Sequence, residues 1–175
     1  MSLIYEPSED SYFLKEILEK YLEKENKKIK IFEMGIGSGI QLETLKKLGF
    51  ENLSGVDLNG KAVERCKKDG FDVSKSNLFS KVKGNFDLII FNPPYLPKDK
   101  LEDNESSLAT TGGKKGSELI NKFLFQAKKH LEKKGKIILL VSSLTKEINL
   151  LNYKKKKLDE KKIFFEKLEV WELSL

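Results

Sequence analysis

The chain's pattern predicts an α/β fold with a mainly parallel sheet. Helical and strand signals alternate along it. The first strand segment runs straight into a glycine-rich turn that opens a helix. Two short strand signals near the end lie close enough for an antiparallel hairpin at a sheet edge.

Ser8 is placed to cap a first helix, with Glu9 and Asp10 in the first turn, where the helix dipole favours negative charge. Phe13, Ile17 and Tyr21 then share one face, flanked by Leu14, Leu18 and Leu22. A first strand spans Ile29 to Met34, and a helix follows from Gln41 to Leu48, closed by Gly49. The second strand runs from Asn52 to Asp57. Asn59 caps a third helix that ends near Gly70 and buries Cys66 with Ala62 and Val63. Phe71 to Lys75 is a short third strand. Phe86 to Phe91 is a stronger fourth, ending at Asn92-Pro93-Pro94-Tyr95. Leu96 to Gly116 is polar, glycine-containing and long for a connector, the mark of a functional or disordered loop. Ser117 caps a helix through Leu131, striped by Leu119, Phe123, Leu124 and Ala127. Lys136 to Ser142 is a fifth strand. A lysine-rich helix from Thr145 to Leu158 and a hairpin of Lys162 to Phe165 with Leu168 to Leu173 complete the expectation.

With 175 residues, no internal repeat and no dividing linker, one domain over 1–175 is expected. Apolar residues make up 39% of the chain, enough for a core, and no apolar run approaches the length of a membrane span. Met1 to Asp10 is polar and acidic, unlike a signal peptide. Cys66 is the single cysteine, so no internal disulfide can form, and a cytoplasmic location is the plain expectation. The net charge of +6 invites a nucleic-acid partner. Against that, Arg65 is the single arginine, and the forked guanidinium is the usual reader of phosphate and guanine. The run Lys154 to Lys157 is most simply a solvated helix face or turn.

Glu33-Met34-Gly35-Ile36-Gly37-Ser38-Gly39 falls between a strand and a helix, where a doubly wound sheet opens toward its ligand. The dinucleotide fingerprint would require glycine where Ile40 stands, and no phosphate-loop lysine follows, so a phosphate cradle is the poorer reading. Asp57 ends the second strand. A carboxylate there can accept from both hydroxyls of a ribose, although a turn or helix-cap aspartate is a common alternative. Glu33 beside the glycine turn is costly to bury without a partner, and a ligand ammonium would be one.

Asn92-Pro93-Pro94-Tyr95 is the most specific signal in the chain. Asparagine and proline favour turns in any protein, but this turn ends the strand expected beside the first, on the rim of the glycine turn. An amide or aromatic amino nitrogen is a poor nucleophile because its lone pair is delocalised. The Asn92 side-chain oxygen and the Pro93 carbonyl can each accept one of its hydrogens, which orients the nitrogen and favours positive charge developing on it. Pro94 stiffens the turn. Tyr95 can stack on the planar group or face the developing charge. This chemistry requires neither a metal nor a catalytic histidine, and His130 is expected to be structural or solvent-facing.

With these segments in view, the chain resembles the class I methyltransferase superfamily. More closely, it resembles the HemK-type protein glutamine methyltransferases of release factors, in their short archaeal and eukaryotic branch. The resemblance is carried by Tyr5-Glu6-Pro7-Ser8-Glu9-Asp10-Ser11, the glycine turn, Asp57, Asn92 to Tyr95, and Thr111-Gly112-Gly113-Lys114-Lys115-Gly116-Ser117-Glu118. It implies a Rossmann-like, seven-stranded, mostly parallel sheet with a C-terminal antiparallel hairpin and helices on both faces. It implies S-adenosylmethionine as cofactor, held by Ser11, Glu33, Gly35, Gly37, Asp57, Leu58, Asn77, Leu78 and Asn92. The family pattern has aspartate where Asn77 stands, and the neutral side chain weakens the expected adenine contact. The implied substrate is the glutamine of a Gly-Gly-Gln motif in a translation release factor. A small zinc-binding activator protein is implied as partner, for which the edge of the third strand is a docking site. The rival acceptor is a nucleic-acid amino group, adenine N6 or guanine N2, although such enzymes need base-flipping and recognition elements for which this chain has little room.

Overall fold

The computed structural model describes residues 4–97, 111–113, 115–164 and 166–175. Its strands are β1 (Lys30–Met34), β2 (Asn52–Asp57), β3 (Asp72–Lys75), β4 (Phe86–Phe91), β5 (Leu96–Pro97), β6 (Thr111–Gly113), β7 (Leu131–Ser142), β8 (Lys154–Ile163) and β9 (Glu166–Ser174). Its helices are α1 (Glu9–Leu22), α2 (Ile40–Lys47), α3 (Gly60–Lys68) and α4 (Glu118–Ala127), the last continued by a 3-10 turn, Lys128–His130.

A strand that is apolar at every position must be covered on both faces. Leu88 to Phe91 and Ile137 to Val141 meet that condition at the centre of a seven-stranded sheet, ordered β3-β2-β1-β4-β7-β9-β8. Strand pleating sends their side chains alternately into two cores. Ile89, Phe91, Ile137 and Leu139 pack with Ile120, Phe123 and Leu124 of α4. Leu88, Ile90, Ile138 and Leu140 pack with Leu14, Ile17 and Leu18 of α1 and Leu45 of α2. A third cluster joins Ile36 and Leu42 to Ala62, Val63 and Cys66 of α3. Helices therefore cover both faces. β3, β2, β1, β4 and β7 run parallel, β9 pairs antiparallel with β7, and β8 pairs antiparallel with β9 at the far edge.

The order matters for function. From β1 the chain steps outward through β2 to β3, then crosses back to β4 on the other side of β1. That reversal leaves a crevice beyond the carboxyl ends of β1 and β4, the general ligand position of an open α/β sheet.

Three sequence expectations are corrected. The lysine-rich segment forms no helix over 145–158. Tyr153 is buried with its hydroxyl donating to the Leu124 carbonyl at 3.0 Å, and Asn121 receives Asn149 N–H at 2.8 Å and donates to the Glu147 carbonyl at 3.1 Å. These contacts hold the segment against α4, with Glu147 and Leu151 at positive φ, which breaks a helical path. Lys154 to Lys157 instead open the edge strand β8, where long charged side chains reach water and discourage further strand pairing. The second correction concerns two caps. Ser8 and Ser117 occupy the N-cap positions of α1 and α4 but give no side-chain capping bond, whereas Asn59 does cap α3. Third, Leu96–Pro97 and Thr111–Gly113 of the long connector pair as a small parallel sheet, while its positions 98–110 and 114 lie outside the described residues. Minor shifts of one to five residues affect other boundaries, largest for β7, which begins at Leu131.

Gly55 on β2 is required by packing rather than by a turn. A Cβ there would lie 2.6 Å from Ile36 Cγ2 and 2.8 Å from the Glu33 carbonyl oxygen. Gly55→Ala is expected to destabilise the protein by about 2 kcal/mol through overpacking, measured as a lower midpoint in denaturant unfolding.

Candidate active site

The glycine turn leaves β1 with backbone bonds that tie it to β2: the Gly35 and Ile36 N–H groups both donate to the Val56 carbonyl, at 2.8 and 3.2 Å. Gly35, Gly37 and Gly39 all have positive φ, and a Cβ at Gly39 would press on Cys66 Sγ at 2.8 Å. Cys66 is therefore a packing residue, as its position on α3 predicts. Asp57 closes the turn from the next strand. Its Oδ2 accepts from Gly37 N–H at 2.9 Å and its Oδ1 from Asn59 N–H at 2.7 Å. A carboxylate offers about four acceptor positions, so two remain for ligand hydroxyls. Leu58, beside it, is 55% exposed despite being apolar.

Glu33 ends up 3% exposed at the floor of the crevice. Burial, then the nearby Asp57 carboxylate, pushes its carboxyl well above the ordinary range, against one backbone N–H from Leu42 that favours the charge. Its Oε2 has no hydrogen-bond partner. Asn77 is exposed in the turn after β3. Leu78 is buried in the core at φ 48°, with its carbonyl accepting from Ser76 Oγ at 2.8 Å.

On the other side of the crevice, β4 delivers Asn92, Pro93, Pro94 and Tyr95. The two halves touch: a Cβ on Gly35 would lie 3.4 Å from the Phe91 ring. Asn92 Nδ2 donates to Asp10 Oδ2 at 2.8 Å. With the amide nitrogen donating to the carboxyl oxygen, the NH₂ end of the amide faces Asp10. Asn92 Oδ1 is then the free end, buried and without a partner. Asp10 Oδ1 in turn accepts from the hydroxyls of Tyr5, Ser8 and Ser11 at 3.0, 2.5 and 3.3 Å. Pro93 is buried and Pro94 half-buried. Tyr95 packs between the two large cores, with its carbonyl accepting from Thr145 Oγ1 at 3.0 Å. Burial first, then the Asp10 and Glu166 carboxylates, raise its hydroxyl far above the usual range, so it stays neutral. His130 lies away from this site, stacked on Phe79 with ring centroids 4.5 Å apart.

Sequence reasoning missed Asp10 and Gln41 as site residues. Gln41, on the first turn of α2, donates to the Ser11 carbonyl at 2.9 Å and leaves its own Oε1 buried and unpartnered. Asp10 stood within a segment singled out for its resemblance, but its contact to Asn92 spans 82 positions and no local signal announces it.

Among the described residues, the three buried side-chain polar atoms without a partner are all oxygens: Glu33 Oε2, Gln41 Oε1 and Asn92 Oδ1. Such orphans are rare in folded proteins. A crevice at the strand-order reversal, with unpaired buried acceptors, an aspartate ending β2 and an Asn-Pro-Pro-Tyr rim, is the architecture of a class I methyltransferase. The chain matches the profile of the Eco57I restriction-modification methylase family over residues 15–167. It is 38% identical over 157 residues to a Methanocaldococcus jannaschii protein assigned as a protein N5-glutamine methyltransferase, covering 85% of this chain and 77% of that one. It is 35% identical over 124 residues to the release factor glutamine methyltransferase of Borreliella burgdorferi, covering 63% of this chain but 43% of that longer protein. Its fold matches the E. cuniculi Mtq2-Trm112 complex responsible for methylation of the eRF1 translation termination factor, with TM-score 0.76, 26% identity, and 97% and 96% of the two chains covered. The chain belongs to the protein N5-glutamine methyltransferase family, and it also matches the Eco57I methylase model over most of its length.

The raised carboxyl of Glu33 has a stability consequence. Its folded pKa lies above its unfolded value, so burying Glu33 costs stability at neutral pH, and that cost fades as pH falls toward the ordinary 4.5. Glu33→Gln is expected to stabilise the ligand-free protein at pH 7 by about 1 kcal/mol, with the gain vanishing near pH 4 to 5 in thermal melts.

Proposed function

We propose that this chain transfers a methyl group from S-adenosylmethionine to the side-chain nitrogen of a glutamine in a Gly-Gly-Gln motif of a translation release factor, giving N5-methylglutamine. The observation that carries the proposal is the oriented Asn92 amide, held by Asp10 with its oxygen buried and without a partner.

The residues present fit the cofactor. Glu33 Oε2 and Gln41 Oε1 are buried acceptors suited to an ammonium, and Asp57 retains acceptor capacity for ribose hydroxyls. Gly35 and Gly37 permit close approach of the ligand, exposed Leu58 offers an apolar surface, and Ser11, buried between Asp10 and Gln41, is a further proposed contact. Asn77 and Leu78, at the end of β3, are the proposed adenine contacts through the turn they form. When bound, the cofactor supplies an electrophilic methyl on a sulfonium centre. Asn92 Oδ1 and the Pro93 carbonyl accept the two hydrogens of the acceptor nitrogen and aim its face along the cleft. Each interaction strengthens as positive charge grows on that nitrogen. Asp10 keeps the Asn92 oxygen, rather than its NH₂, on the substrate side. Neutral Tyr95 offers a planar wall to the carboxamide.

The related Mtq2 chain forms a complex with Trm112, which supports a small activator subunit as a partner of this chain as well. The four-residue edge strand β3, exposed at all positions but Val73, offers the backbone groups for such docking.

Asn92→Ala is expected to lower transfer by on the order of 10²-fold or more while retaining cofactor binding in calorimetry. Asp10→Asn lets the Asn92 amide turn either way, and kcat should fall by on the order of 10²-fold with little change in cofactor affinity. Mass spectrometry of the host's release factor after deletion of this gene tests the substrate. Loss of the N5-methyl mark is the expected result. A fully methylated factor, with label transferred instead to nucleic acid, would favour the nucleic-acid acceptor.

A further inference from the structure

The β8–β9 hairpin closes beyond the paired residues Ile163 and Glu166. Because β9 runs antiparallel to β7, with Leu168 beside Ser142, this tip sits on the same rim as Asn92. It is pinned there. Ser142 Oγ donates to Glu166 Oε2 at 2.5 Å, and Ser143 and Lys167 exchange bonds of 2.8 and 2.9 Å. Two residues beyond Ser143, Thr145 holds the Tyr95 carbonyl. The tip and the Asn-Pro-Pro-Tyr turn thus share one support.

Phe164 at this tip is 86% exposed and adopts φ 49°. A bulky residue gains nothing from burial at that exposure, and the left-handed backbone favours glycine or asparagine. Folding explains neither choice, and residues held this way concentrate where a protein meets a ligand. The charges nearby indicate what the ligand carries. Neither Glu166 nor Asp10 has a cationic partner among the described residues, and Lys167 is engaged by Glu160 and Glu169. Both carboxylates act on Tyr95, and both raise the Tyr5 hydroxyl, to about 12 after the larger effect of burial. Lys162, in register with Lys167, is the nearby lysine on β8, so the cation-accepting position is confined to the Glu166 carboxylate itself.

We infer that the hairpin tip is a docking lip for the polypeptide that presents the acceptor glutamine, taking an apolar side chain against Phe164 and a cationic side chain at Glu166. This deepens the proposed function and rests on it. The lip acts on substrate capture and not on the methyl transfer itself, so its effect falls on KM.

The test is steady-state transfer of labelled methyl to intact release factor. Phe164→Ala should raise KM about tenfold, with kcat within twofold and cofactor affinity unchanged. Phe164→Gly relieves the left-handed backbone. It should raise KM as much while not lowering the melting temperature, which separates docking from folding. For the wild type KM should rise with salt, and Glu166→Gln should raise it about threefold and flatten that dependence. An unchanged KM in both Phe164 variants overturns the lip alone. So does loss of self-association with KM intact, which would mark the tip as a contact between copies. Absence of transfer by the wild-type chain overturns both this inference and the release-factor assignment.

Discussion

The hydrogen bond from Asn92 to Asp10 is the constraint on which the site depends. A primary amide can present either end to a substrate, and the two presentations are opposites: an oxygen accepts the acceptor nitrogen's hydrogens, whereas an NH₂ repels them. A carboxylate that only accepts removes the ambiguity. Asp10 is itself held by three hydroxyls, and the helix carrying it is anchored by Phe13, Leu14, Ile17 and Leu18 in the core. The position of one oxygen thus follows from the docking of a whole helix onto the sheet.

The same helix ties the two halves of the crevice together. Gln41 of α2 grips the Ser11 carbonyl, and Ser11 adjoins Asp10, which grips Asn92. One short path runs from the glycine-turn side to the acceptor side. Both ends of that path, and Glu33 between the strands, finish in buried oxygens without partners. A protein optimised for stability alone would satisfy or remove such atoms, since each costs the desolvation of a polar group. Three such atoms near the carboxyl ends of β1 and β4 support the proposed site, whose ligand would donate hydrogen bonds to them.

The carboxyl-terminal half shows how tertiary contacts override a local pattern. Lysines and leucines over 145–158 suit a helix, and intrinsic propensity does not oppose one. Burial of Tyr153 under α4 and the asparagine contacts at Asn121 and Asn149 are worth more than a short solvated helix, which gains little from its own hydrogen bonds in water. The chain is released as an edge strand, and β9 completes the sheet between it and β7. No helix among the described residues is long and apolar enough to cross a membrane.

The sequence by itself determined the alternation of strands and helices, the glycine turn, the acid at the end of β2, and the Asn-Pro-Pro-Tyr segment at the end of β4. These are local facts: periodicity, turn chemistry and composition within a few residues of each other. It also indicated the antiparallel finish, although not the length of β8. Only the tertiary structure decided which end of the Asn92 amide is free, that Asp10 and Gln41 belong to the site, and that a hairpin tip near the end of the chain shares a rim with Tyr95. Those facts rest on contacts between residues 30 to 82 positions apart, or on strand order. Side-chain spacing along a chain carries no record of such partners, because sheet assembly brings them together only after the local elements exist.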